Sequence, residues 1–69
     1  MYNIGDRWIW QDKEGVIRGY IVYVNPRYIN IKWENDVESV YNYSMIKNES
    51  RLSYDKEYYR NEKLKQLGI

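Results

Sequence analysis

The sequence predicts a mainly β domain, a small barrel of about five antiparallel strands followed by a short C-terminal α-helix. Segments rich in β-branched and aromatic residues alternate with tight turns through most of the chain, as in all-β domains. One of these segments, residues 28–33, alternates with a period of two residues, and the pattern becomes helical from about residue 55. A chain of 69 residues has room for one domain. We divide it into a barrel over residues 1–52 and a helix over residues 53–69.

The first two predicted strands flank a short turn. Residues 7–11 form an aromatic and β-branched first strand, and residues 12–15 form a turn in which Gly15 is free to adopt a positive φ. Residues 16–24 form a long second strand that is interrupted by Gly19. A glycine inside a strand usually marks a bulge or a bend, and a barrel needs such a bend to close.

The third strand carries the clearest pattern. It follows a turn at residues 25–27, where Pro26 cannot donate a backbone hydrogen bond. Its residues alternate between two faces. The predicted core face contains Ile29, Ile31 and Trp33, and the opposite face contains Tyr28, Asn30 and Lys32.

The last elements are less sharply patterned. Residues 34–36 form a turn and residues 37–43 a fourth strand, whose register stays open because Tyr41 and Val40 have opposite parity. Residues 45–52 hold a short fifth strand or a 3₁₀ turn. Ser53 or Asp55 caps the final helix, and Gly68 stops it. Its apolar stripe is weak and consists of Tyr58, Leu64 and Leu67.

The composition argues against catalysis. The chain has no His and no Cys, so the commonest general base, the thiol nucleophile and the ordinary zinc ligands are missing. No glycine-rich phosphate loop is present. Glu34, Asp36 and Glu38 alternate as at the start of a calcium loop, but Ser39 and Met45 stand where that loop needs Gly and Glu. We therefore expect no enzyme activity, no cofactor and no metal.

The sequence also predicts the location of the protein. There is no N-terminal apolar run typical of a signal peptide, and no stretch of about 18 apolar residues that could span a membrane. We expect a cytoplasmic protein without a membrane partner.

Aromatic residues are the candidate contact residues. The chain has nine Tyr and three Trp, and such rings stack on bases, surround cations or anchor protein interfaces. We predict one exposed aromatic-basic patch formed by Arg18, Tyr20, Tyr28 and Lys32. A second candidate is a rim formed by Trp8 and Trp10, of which one is expected to be exposed because a domain this small cannot bury both.

Several short segments carry a resemblance to a known family. They are Gly5-Asp6-Arg7-Trp8, Gly19-x-Ile21-x-x-Val24, Ile29-x-Ile31-x-Trp33-Glu34-Asn35 and Tyr41. Over residues 5–46 this pattern resembles the small SH3-like barrels of the Tudor, KOW and Mib/Herc2 type. The resemblance implies an SH3-like barrel that binds a protein, a methylated peptide or a nucleic acid. Glu34 replaces the usual Asp, and Asp36 stands where a turn glycine is common, so no ligand residue is carried over.

Charge and composition set the expected function. The net charge is +1, which gives little long-range attraction to a phosphate backbone. We predict a non-catalytic protein-interaction module. The abundance of Asn, Ile, Lys and Tyr and the absence of Ala suggest an A/T-rich genome, and hence a phage or mobile-element factor that modulates a host protein. The alternative is a nucleic-acid-binding module of KOW or Tudor-like type. A third reading is a homo-oligomer that self-associates through a free barrel edge.

Overall fold

A computed structural model describes residues 2–68, and its architecture is mainly β with a short C-terminal helix, as predicted. Met1 and Ile69, at the ends of the two predicted segments, lie outside the described residues. The elements in chain order are β1 (Arg7–Asp12), β2 (Gly15–Val24), β3 (Tyr28–Trp33), β4 (Glu38–Asn42), α1 (Tyr43–Asn48), β5 (Leu52–Tyr54) and α2 (Lys56–Gln66). All five strands are antiparallel and form one sheet in the order β4-β3-β2-β1-β5.

The sheet is open, so the prediction of a closed barrel is wrong. β4 and β5 lie at its two edges, whereas closure would need hydrogen bonds between them. The chain between these strands forms α1 instead of continuing as strand, and β5 has only three residues, all paired with β1. Ile46 of α1 and Leu52 of β5 complete the core at the open side.

The turns are fixed by the residues that the sequence places in them. Gly15 has φ +133°, and the Asp12 carboxylate accepts a hydrogen bond from the backbone N–H of Glu14 at 2.8 Å. The Asn25 side-chain carbonyl accepts from the backbone N–H groups of Arg27 and Tyr28, both at 2.8 Å. These short polar side chains stabilise their own turns and thereby set the register of the hairpins.

The irregularity in β2 lies three residues beyond the position predicted for it. The register shifts between Ile21 and Tyr23, so the bulge is at Val22 and not at Gly19. Gly19 is required for a different reason. A Cβ atom at this position would lie 2.6 Å from Cε3 of Trp33 and 2.7 Å from the carbonyl oxygen of Lys32. β2 and β3 can therefore pack this closely only because residue 19 has no side chain.

The core lies on one face of the sheet and matches the predicted face of β3. Its buried members are Trp8, Ile21, Ile29, Ile31, Trp33, Ile46 and Leu52. The structure also settles the register of β4, because Tyr41 is half-buried against this core whereas Val40 points to the other face and is 54% exposed.

Helix α2 docks through its first turn. Asp55 is the N-cap and accepts a hydrogen bond from the backbone N–H of Tyr58 at 3.1 Å, and Gly68 beyond its end has φ +75°. No residue of α2 is buried, and Leu64 and Leu67 are exposed. The predicted apolar stripe therefore does not pack on the sheet, and only the half-buried Tyr58 belongs to the docked turn.

Candidate functional site

The face of the sheet opposite the core, here called the outer face, brings Tyr20 and Lys32 side by side. The two are direct cross-strand partners in β2 and β3. The same row continues to Arg7 on β1 and to Glu38 on β4. Antiparallel pairing places such partners about 5 Å apart, so a cation, a ring, a second cation and an anion follow each other across four strands.

Tyr28 lies farther along the outer face, next to a ring that the sequence reading left out of the patch. The bulge at Val22 shifts the alternation of β2, and Tyr23 consequently points to the outer face opposite Asn30. The rings of Tyr23 and Tyr28 are 5.9 Å apart between centroids, with planes inclined by 40°. A bulge can hold any type of residue, so the sequence does not show where it lies. Tyr23 can be placed beside Tyr28 only when the position of the register shift is known.

Exposure shows that this aromatic group is accessible. Tyr20 is 38% exposed, Tyr23 46% and Val40, on the adjacent edge strand, 54%, while Tyr28 is half-buried. We call Tyr20, Tyr23, Tyr28, Lys32 and Val40 the aromatic face. It contains three of the four residues of the predicted patch.

Arg18, the fourth residue of that patch, is bound to the start of α2. Its Nε atom lies 3.1 Å from the buried carboxylate of Asp55, and its second guanidinium nitrogen lies 2.9 Å from Glu57. The positive charge is therefore neutralised by neighbouring carboxylates, and the predicted patch is less basic than expected.

The side chain of Arg7 is also held in place, in this case by two aromatic rings. Its guanidinium lies 5.2 Å from the ring centroid of Tyr20 and 4.7 Å from that of Tyr58. The backbone N–H of Arg7 also donates to the hydroxyl of Tyr59 at 2.7 Å. The first turns of α2 thus cover the β1 end of the outer face and limit the accessible aromatic face to β2, β3 and β4.

The two tryptophans of β1 lie in different environments, Trp8 in the core and Trp10 at the rim, where it is half-buried and not exposed. Trp8 is 3% exposed and packs against the ring of Tyr54 at 4.3 Å, so it offers no contact surface. Trp10 is half-buried, and its Nε1 donates to the Asp12 carboxylate at 3.0 Å. Trp10 also forms one wall of a cleft of about 410 Å³, with Tyr41 and Met45 among the other lining residues.

Charges near this cleft are also neutralised. The guanidinium of Arg51 lies 4.7 Å from the centroid of the Trp10 ring and makes two hydrogen bonds to the Glu49 carboxylate, at 2.8 and 2.9 Å. This pairing lowers the pKa of Glu49 to about 2. Hydrogen bonding from Trp10 likewise lowers the pKa of Asp12.

The alternating carboxylates of the third turn have separate partners. Glu34 accepts a hydrogen bond from the backbone N–H of Arg18 at 3.3 Å, and Glu38 accepts from the side-chain amide of Asn30 at 3.0 Å. Asp36 adopts φ +67°, in the turn where the family pattern has glycine. Across residues 2–68, no three acidic side chains come together in an arrangement that could hold a metal ion.

Comparison with other proteins adds no assignment. No protein-family model matches this chain, and no curated protein or solved structure matches it either. Within residues 2–68, no helix has the length and apolar character needed to cross a membrane.

Proposed function

We propose that this chain is a non-catalytic protein-interaction module that contacts its partner through the aromatic face. The observation that carries the proposal is that three accessible or half-accessible tyrosines lie on one face of the sheet, with Tyr23 and Tyr28 as a ring pair and Tyr20 beside Lys32. The fold can bury an aromatic ring in its core, as it does with Trp8. Exposed rings grouped on one face are typical of a contact surface.

The chemistry of tyrosine suits this role. Its ring offers a large contact area with few rotatable bonds, so little conformational entropy is lost on binding, and its hydroxyl remains able to form hydrogen bonds at the interface. Val40 extends the apolar area onto β4, and Lys32 adds one charge between Tyr20 and Glu38.

The distribution of charge supports a protein partner over a nucleic acid. Arg18 and Arg51 are each paired with carboxylates, and Lys32 lies directly opposite Glu38. A nucleic-acid surface usually presents a contiguous basic stripe. The alternative, a nucleic-acid-binding module of KOW or Tudor-like type, is favoured only by the row in which Arg7, Tyr20 and Lys32 interleave cations with a ring.

The composition supports a narrower form of the proposal. A chain rich in Asn, Ile, Lys and Tyr and devoid of Ala suits an A/T-rich phage or mobile element. On this basis we propose a cytoplasmic factor that binds and modulates a protein of its host. The resemblance to SH3-like barrels is compatible with such a role, because that resemblance implies binding and not catalysis.

Affinity capture from the host, followed by titration of the captured partner, tests the proposal. We expect Tyr20→Ala and Tyr28→Ala to keep the fold and to weaken binding by about 1–2 kcal/mol or more each, as interface anchors do. Leu67→Ala is the matched control, because Leu67 is 64% exposed and lies beyond the end of α2. Met45→Ala probes the cleft beside Trp10. Normal binding by both Tyr variants would refute the aromatic face, and weak binding by Met45→Ala alone would assign the contact to the cleft.

A further inference from the structure

The edge strand β4 presents unpaired backbone groups in a regular pattern. The backbone N–H of Trp33 donates to the carbonyl of Val37 at 2.8 Å, which fixes the phase of the hydrogen bonds between β3 and β4. In an antiparallel pair these bonds alternate along each strand. The residues that turn their N–H and C=O groups away from β3 are therefore Glu38, Val40 and Asn42. The C=O of Asn42 also accepts the first hydrogen bond of α1, because Asn42 is the N-cap of that helix, whereas Glu38 and Val40 lie clear of it.

This edge has little of the protection that natural edge strands usually carry. It contains no Pro and no Lys, and its pairing with β3 shows no bulge. Its one charged side chain, Glu38, accepts a hydrogen bond from Asn30. Val40 at its centre is 54% exposed. A regular edge of this kind is a template for another strand.

The opposite edge is a poorer template. β5 has three residues, and the backbone N–H of its first residue, Leu52, already donates to the carbonyl of Glu49 at 3.2 Å. β4, with five residues, is therefore the edge on which a further strand can pair along a longer stretch.

We propose that two copies of this chain pair through β4 in an antiparallel, two-fold symmetric dimer with Val40 on the symmetry axis. Val40 is the middle residue of β4, so this register overlaps the whole of both strands. It also places every outward-facing residue opposite another one: Val40 faces its own copy, and Glu38 faces Asn42 of the second copy. The two sheets would become one continuous sheet of ten strands.

The side chains on the outer face complement each other in this register. The two Val40 side chains meet on the axis and cover apolar surface that is exposed in the single chain. The side-chain carbonyl of Asn42 accepts from the backbone N–H of Met45 at 2.8 Å as the cap of α1, which leaves its amide N–H donors free for the Glu38 carboxylate. The two-fold symmetry produces this contact twice.

Sedimentation equilibrium of the purified chain over a wide range of concentrations tests the dimer, without any partner and hence independently of the proposed function. We expect a monomer–dimer equilibrium in the wild type. Val40→Lys should be monomeric throughout, because it places two like charges on the axis. Val16→Lys is the matched control: Val16 has similar exposure, 48%, but pairs with β1 far from β4, and it should dimerise like the wild type.

A charge rearrangement tests the register. Asn42→Asp keeps the cap of α1, because Asp is as good an N-cap as Asn, but it sets Asp against Glu38 twice and should weaken dimerisation roughly tenfold. Adding Glu38→Gln recreates an amide–carboxylate pair with reversed polarity and should restore the dimer. A monomeric wild type, or a Val40→Lys variant that dimerises as well as Val16→Lys, would overturn the proposal. A double variant no tighter than Asn42→Asp would overturn the register.

Discussion

Replacing Gly19 by Ala tests most directly how the sheet packs. The new Cβ would lie 2.6 Å from the Trp33 ring, 3.0 Å from Cγ2 of Ile31 and 2.7 Å from the carbonyl oxygen of Lys32. Overpacking a core by one methyl group typically costs about 1–3 kcal/mol. We expect a loss of about 3 kcal/mol, at the upper end, because Lys32 contributes a backbone atom that β-pairing holds in place.

A loss of about 3 kcal/mol is a large part of the total free energy of unfolding of such a domain. At roughly 0.05–0.15 kcal/mol per residue, a domain of this size has about 3–10 kcal/mol of stability. Urea denaturation followed by tryptophan fluorescence should show a much lower midpoint for Gly19→Ala. Val16→Ala in the same strand, at an exposed site, should change stability by less than about 0.5 kcal/mol. Adding Trp33→Leu removes the clash with the indole but not with the carbonyl of Lys32. A midpoint for Gly19→Ala equal to that of the wild type would refute the packing argument.

Two further predictions concern the hydrophobic core and the loss of stability at acidic pH. Trp33→Ala should cost about 3–5 kcal/mol, the usual range for removing a buried large aromatic side chain, and should leave a largely unfolded protein by circular dichroism; a well-folded variant would contradict the core assignment. The pairing with Arg51 lowers the pKa of Glu49 to about 2 in the folded chain, against an ordinary value of 4.5. Its stabilising effect is therefore complete above pH 4.5 and disappears as the pH falls towards 2. The melting temperature of the wild type should drop more between pH 5 and pH 2 than that of Glu49→Gln, and equal drops would contradict this.

The features predicted correctly from the sequence depend on neighbouring residues. The period of two along β3 predicts that Ile29 and Ile31 face the core because alternation follows directly from strand geometry. The N-cap at Asp55 is likewise a local signal, since its side chain reaches an N–H three residues ahead. Both signals are complete within a few residues and need no knowledge of the rest of the fold.

The features that could not be predicted from the sequence are those for which one local pattern is compatible with two different structures. A glycine inside a strand signals either a bulge or close packing, and at Gly19 it is close packing. Helix α1 has a detectable start in the cap residue Asn42, but Tyr43 continues the strand-like composition of β4 and concealed it. Because residues 43–48 form this helix, the chain after β4 does not continue as a strand, and β4 and β5 are the two edges of the sheet.

The pairing of Arg18 could not be predicted for a different reason. Its partners Asp55 and Glu57 are 37 and 39 residues away in the chain. They come close only because β5 pairs with β1, which places the start of α2 beside β2. The sequence predicts that Tyr20, Tyr28 and Lys32 lie on one face, but it contains no local signal for how the neighbouring charges are balanced.

Because few cations near this face remain unpaired, the salt dependence of binding can distinguish a protein partner from a nucleic-acid partner. On the aromatic face and its border, Lys32 and Arg27 are the cations left to contact phosphates, because Arg18 is bound to Asp55 and the guanidinium of Arg7 is held against the rings of Tyr20 and Tyr58. Each phosphate neutralised on a duplex contributes about −0.9 to the slope of log K against log salt, so two contacts give a slope of about −2. Between 50 and 200 mM salt the affinity for a nucleic acid would then fall only about tenfold. A protein partner held mainly by tyrosine rings should lose less than that, and Lys32→Ala should hardly change its salt dependence. A slope of about −3 for the captured partner would require a third phosphate contact, and would support the nucleic-acid alternative with Arg18 released from α2.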